Sequence, residues 1–185
     1  MILMGGMIMR LARTFWIAAL LIFPIIAIAQ QKPADERAKY INYKYKGVNP
    51  ESILPNGVKH FGGSLIGDID ADPVYGISTV AKGKTNMLWL EVSTGRDSTS
   101  GVSGWRVLDV LAFPGMTKSD YLFFSNDPAV GCRRNGKDVP NLVGIGKIYR
   151  SRGIFRPTKL WIASLKTRKF EPTPLTGVKC EYSEP

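Results

Sequence analysis

In the stretch GDIDADPVYG, residues 67–76, Asp68, Asp70 and Asp72 occupy alternate positions, a spacing at which oxygen ligands can gather round a calcium ion. An EF-hand loop needs ligands at its first, third and fifth positions, a glycine at the sixth for the sharp turn and a glutamate at the twelfth. Counted from Asp68, the sixth position is Pro73 and the twelfth is Thr79. The turn residue and the strongest ligand are both missing. The comb is therefore read as a solvated turn ahead of a strand, and no metal ligand is assigned.

General acid–base chemistry most often uses histidine, and the chain has one, His60, in KHFGGS. No G-x-S-x-G elbow presents Ser64 or any other nucleophile beside it. A carboxylate pair is better motivated: Glu91 in LWLEV and Asp109 in WRVLDVL fall on runs expected to be neighbouring strands. Alternation puts Glu91 on a face with Met87 and Trp89, and Asp109 on a face with Trp105, Val107 and Leu111. Two acids held in apolar surroundings would have raised pKa values, as glycosidase-type chemistry wants. The opposite faces are apolar too, so the pattern does not say which side points inward, and an acid paired with Lys or Arg at a barrel rim gives the same signal. No catalytic residue is assigned.

The strongest chemical signal is KIYRSRGIFRPTKLWIASLKTRKF, residues 147–170. Here Lys147, Arg150, Arg152, Arg156, Lys159, Lys166, Arg168 and Lys169 alternate with Tyr149, Phe155, Trp161 and Phe170. Cations interleaved with exposed rings can hold a polyanion by charge and stack on its flat groups. A hairpin that buries its aromatics and merely solvates its charges makes the same pattern, because strands alternate with period 2.

The charge is gathered in one part of the chain. The net charge is +10, yet residues 30–131 carry 11 basic and 11 acidic side chains, which cancel. Between Cys132 and Cys180 stand 12 basic residues against only Asp138 and Glu171. The N-terminus explains why a cysteine pair is expected to be oxidised: Arg10 and Arg13 precede an apolar run from Thr14 to Ala29 that ends in Ala27-Ile28-Ala29, the pattern of a cleaved signal peptide. The run is short of the roughly 20 residues a membrane span needs, and Pro24 interrupts it. Cleavage after Ala29 would leave 156 residues with net charge +8, and a start at Met9 would make the leader more ordinary. Export places the chain in the periplasm or outside the cell, where two cysteines most simply form one disulfide, Cys132–Cys180. No transmembrane segment is expected after cleavage.

Past residue 70 the sequence carries short β-branched and aromatic runs bounded by Gly, Pro, Asn, Asp or Ser, the signature of strands. They are VYGISTVAK, NMLWLEV, WRVLDVLAF, YLFFS, LVGIGKIYR, TKLWIASL, and KFEPTP running on to GVKCEY. STGRDSTSGVSG is expected to be a loop, SNDPAVG a turn and KTRK a hairpin loop. PADERAKYINYKYKG is the one candidate helix. The expected fold is mainly β, a small antiparallel barrel or sandwich in meander order with at most one short helix near the mature N-terminus. Its divisions are a signal peptide at 1–29, an irregular or helical leader at 30–63 and one disulfide-linked β domain at 64–185.

GWRVLDVLAFP, CRRNGKDVPNLVGI, RKFEPTP and GVKC, in that order, give residues 75–180 a resemblance to a group of small exported proteins of cyanobacterial type. That group more usually has an acid–proline pair where this chain has Asp138-Val139-Pro140. The resemblance implies a single secreted domain with its two late cysteines paired, and it supplies no active site. The expected function is binding of an anionic ligand, namely envelope polysaccharide, a lipid head group or an acidic partner, through the eight basic residues of 147–169. Nucleic acid is not expected as a partner of an exported chain, and no cofactor is implied. A carboxylate-based hydrolase and a structural or inhibitor-like envelope protein are the alternatives.

Overall fold

A computed structural model describes residues 37–47, 54–68, 70–96, 98–99, 101–125 and 127–184. The expected signal peptide and the first four residues of the candidate helix, 33–36, lie outside the described residues. Two antiparallel sheets pack face to face as a small β sandwich that does not close into a barrel.

The first sheet contains β1 (Lys44–Lys46), β2 (Val58–Ile66), β3 (Tyr75–Lys82), β4 (Thr85–Arg96) and β5 (Ser103–Pro114), in the order β1-β5-β4-β3-β2. From β2 to β5 it is a meander. The second contains β6 (Asp120–Phe124), β7 (Val130–Arg134), β8 (Lys137–Asp138), β9 (Leu142–Tyr149), β10 (Ile154–Ser164), β11 (Lys169–Thr173) and β12 (Val178–Tyr182). Here the meander expectation fails, because the order is β6-β9-β10-β12-β7-β8, with β11 also paired to β10. Strand β10 is long enough to serve two partners: Ile154 and Phe155 pair with β12, and Leu160 to Ser164 pair with β11.

Three apolar clusters hold this arrangement. Between the sheets lie Ile66, Ile77, Leu88, Leu90, Leu111 and Phe113 from one side and Val143, Ile145, Ala163 and Phe170 from the other. Each such fully buried side chain contributes roughly 2 kcal/mol through the apolar area removed from water. The outer face of the first sheet carries a second cluster, in which Met87, Trp89, Val107 and Val110 are covered by Tyr40, Tyr43 and Leu54. The third, with Phe123, Leu142, Phe155, Leu160, Cys180 and Tyr182, fills the other side of the second sheet. Strand β4 is therefore buried on both faces from Met87 to Val92, which is why its apolar run shows no alternation.

The boundary expected at 63/64 falls inside β2, and β1 also comes from the stretch read as leader. Within the candidate helix Arg37 and Ala38 are helical, the chain turns through residues 39–42, and Lys44–Lys46 is a strand. Tyr45 and Tyr40 are pulled out of helical periodicity because they bury against Trp89, with ring centroids 6.3 and 5.2 Å away. The expected turn SNDPAVG gives up Val130 and Gly131 to β7. Cys132 and Cys180 are directly opposed in the β7–β12 pair and form the disulfide.

Candidate functional site

The two acids expected to share a site are separated by one residue of irregular pairing. Strand β5 bulges at Leu108, so that Glu91 is opposite Val107 while Leu90 is opposite Asp109. A bulge inserts one extra residue and reverses which face the following residues take. Asp109 consequently points between the sheets, where its Oδ2 accepts a 2.8 Å hydrogen bond from the Phe170 amide of β11 and its Oδ1 lies 3.5 Å from Arg37. It fastens β11 of one sheet to β5 of the other. Glu91 stays on the outer face with Met87 and Trp89, and the paired-carboxylate chemistry of glycoside hydrolysis has lost its second acid.

Glu91 does line a groove on that outer face. The groove is about 310 Å³, with Tyr45 and Trp105 on one side, Ser64, Leu65 and His60 of β2 on the other, and Glu91 and Ser78 at its floor. The sequence builds it through register. Tyr45 and Trp105 are cross-strand neighbours, Gly76 is opposite both Glu91 and Leu65, and Gly63 is opposite Ser78. Glycine is required at Gly63, because a β-carbon there would meet the Ile77 carbonyl oxygen at 2.7 Å and the Ser78 hydroxyl at 3.2 Å. At Gly76 a β-carbon would press on the Trp105 ring at 3.4 Å. Strand β2 reaches this geometry by a bulge between His60 and Gly62 that leaves Phe61 65% exposed.

Glu91 itself is only 2% exposed. Its Oε1 accepts a 2.7 Å hydrogen bond from the Tyr45 hydroxyl and its Oε2 a 2.8 Å hydrogen bond from the Ser78 hydroxyl. Burial drives its pKa up to about 7, and the two hydroxyls, by favouring the charged form, hold it from rising further. Burial and the adjacent acid push the Tyr45 phenol well above its ordinary value, so it remains a donor at any physiological pH.

The aspartate comb forms a turn between β2 and β3, with the Asp68 carboxylate accepting the Asp70 amide at 3.0 Å. Among the described residues no three His, Cys, Asp or Glu side chains are placed to share a metal ion.

The eight basic residues of 147–169 fall into three places. Lys147 pairs with Arg156 and Ile145 with Lys159, so these three cations share the face of the second sheet that bears Ile145. Beyond Ile145 that face passes the end of the sandwich core, and Lys147, Tyr149, Arg156 and Lys159 are all exposed. The Arg156 guanidinium stacks 4.9 Å from the centre of the Tyr149 ring. Asp120 lies at one edge, opposite Lys147, with its carboxyl held below the usual range chiefly by the Thr117 amide and hydroxyl. Arg150 and Arg152 form a 3-10 turn leading the other way: Arg150 lies over Tyr182 and pairs with Glu184 at 2.8 Å, and Arg152 sits beside Glu181 and Tyr182. Lys166 and Arg168 lie in the β10–β11 turn at the far end of β10, and Lys169 begins β11 opposite Ser164. Of the interleaved aromatics, Phe155 and Phe170 are core residues, Trp161 packs edge-on against Phe113, and Tyr149 alone is exposed.

Compared with known proteins, the chain matches no family model, no curated protein and no solved structure. Among the described residues no helix is long and apolar enough to cross a membrane.

Proposed function

We propose that the protein is an exported β-sandwich module that binds a polyanion of the cell envelope on the platform formed by Lys147, Tyr149, Arg156 and Lys159. The observation that carries this reading is the cross-strand pair Lys147–Arg156, whose guanidinium is stacked on an exposed tyrosine ring at the open end of a sheet. A stacked guanidinium is held in place before a ligand arrives, so less side-chain entropy is lost on capture. Three cations and a ring on one flat surface suit repeated carboxylate, sulfate or phosphate groups better than a single buried anion. Export is supported by the signal-like N-terminus together with the disulfide.

Retention on immobilised heparin at low ionic strength tests the reading, since attraction among exposed charges is screened beyond about 8 Å at physiological salt. We expect the chain to bind at low salt and to elute early when Lys147 and Arg156 are both changed to Glu. The double change K166E/R168E, on the distant β10–β11 turn, should leave elution nearly unchanged. Absence of retention at low salt, or equal losses for the two double variants, would remove the platform as a site.

A further inference from the structure

The groove over Glu91 differs in chemistry from the cationic platform. We propose that it is a binding site for a small organic cation, a primary or methylated ammonium group, with Glu91 as counter-ion and Tyr45 and Trp105 as an aromatic wall. Glu91 is nine-tenths buried and more, yet it contributes to the lining of an open groove. Its two oxygens are fixed by Tyr45 and Ser78, and each oxygen retains acceptor capacity beyond that one hydrogen bond. An anion entering here would meet a carboxylate in low-dielectric surroundings. A cation would relieve the cost of ionising it and lie against rings whose faces carry negative charge density.

Size and shape agree with a small ligand. The volume of about 310 Å³ stands at the lower limit of ordinary ligand pockets, roughly 300 Å³. Gly63 lets β2 lie close over Ser78, and Gly76, with no β-carbon, lets the Trp105 ring lie against β3 at the side of this space. The titratable groups that face this space are Glu91 from β4, Tyr45 from β1 and His60 from β2. Tyr45 stays protonated, so it does not alter the balance of charge. Protonation of Glu91 removes the counter-ion and so opposes cation binding as pH falls.

Choline is a suitable probe because its charge is permanent, leaving all pH dependence to the protein. Its uncharged analogue, in which carbon replaces the quaternary nitrogen, has the same shape. By titration calorimetry on the full chain, choline is expected to bind at pH 8 and its analogue to bind at least tenfold more weakly. Choline affinity is expected to fall roughly a hundredfold by pH 5, because an acid with a pKa near 7 goes from about nine-tenths to about one-hundredth ionised. The variant Glu91→Gln keeps a side chain of the same size and should abolish binding, and Trp105→Leu should weaken it about tenfold. Equal affinity for the analogue, binding indifferent to pH, or no binding at pH 8 would each overturn the proposal. If Glu91→Gln does not fold, the analogue comparison and the Trp105→Leu variant decide it. A failure here leaves the heparin result untouched, since the platform lies on the other sheet.

Discussion

Burial holds the Glu91 carboxyl at about 7, against 4.5 for an exposed glutamate. Between those two values the folded chain keeps a proton that the unfolded chain has released. Stability is therefore greatest below about 4.5 as far as this residue is concerned, and it declines as pH rises to about 7. The full decline is about 3 kcal/mol, the cost of ionising a buried acid, and it levels off above that range. Urea unfolding at pH 5 and pH 8 should show it as a lower midpoint at pH 8, and Glu91→Gln should remove most of that difference. An unchanged pH profile in the variant would contradict the burial. Asp109 has a different role, as acceptor for the Phe170 amide. Asp109→Ala leaves that amide unpaired between the sheets and should cost about 1–3 kcal/mol by urea titration. Both acids were visible in the sequence as unusual residues in apolar strands. Their separation was not, because a bulge at Leu108 is set by cross-strand pairing that alternation along one strand does not reveal.

At the scale of elements, β3 to β6 and β9 were legible because their β-branched and aromatic runs are bounded by turn residues. Strand β2 was hidden by its own glycines: KHFGGSLI looks irregular until Gly62 is seen at the bulge and Gly63 opposite Ser78, where no β-carbon fits. Strand β7 was hidden by polarity, since Arg133 and Arg134 stand beside the two-residue β8 and little of the strand is buried. What secures β7 is the bond from Cys132 to Cys180, which spans 48 residues. On the chain-entropy model such a cross-link contributes about 4 kcal/mol by restricting the unfolded chain. Replacing both cysteines by serine should lower the urea-unfolding free energy by that order. The loss should appear first as faster amide exchange in β7 and β12, while β3 to β5 remain protected.

Across the whole molecule the charge reads differently from its distribution in the sequence. The surplus between the cysteines is a one-dimensional fact, and β10 spreads it over roughly 25 Å between Arg156 and the β10–β11 turn, at about 3.3 Å per strand residue. Arg150 is neutralised by Glu184 from the C-terminal tail, a pairing that neither segment shows alone. Composition could therefore indicate a cationic protein, and only the register of β9 with β10 selects Lys147, Arg156 and Lys159 as neighbours. The same topology bears on self-association. The outer strands of a sandwich are where a second chain could add by main-chain pairing. Here β1 and β8 offer three and two residues, β2 is broken by its bulge at Phe61, and the Phe170 amide of β11 is already taken by Asp109, which leaves the five residues of β6 as the open rim of the second sheet. Growth by strand addition would have to begin at that short rim.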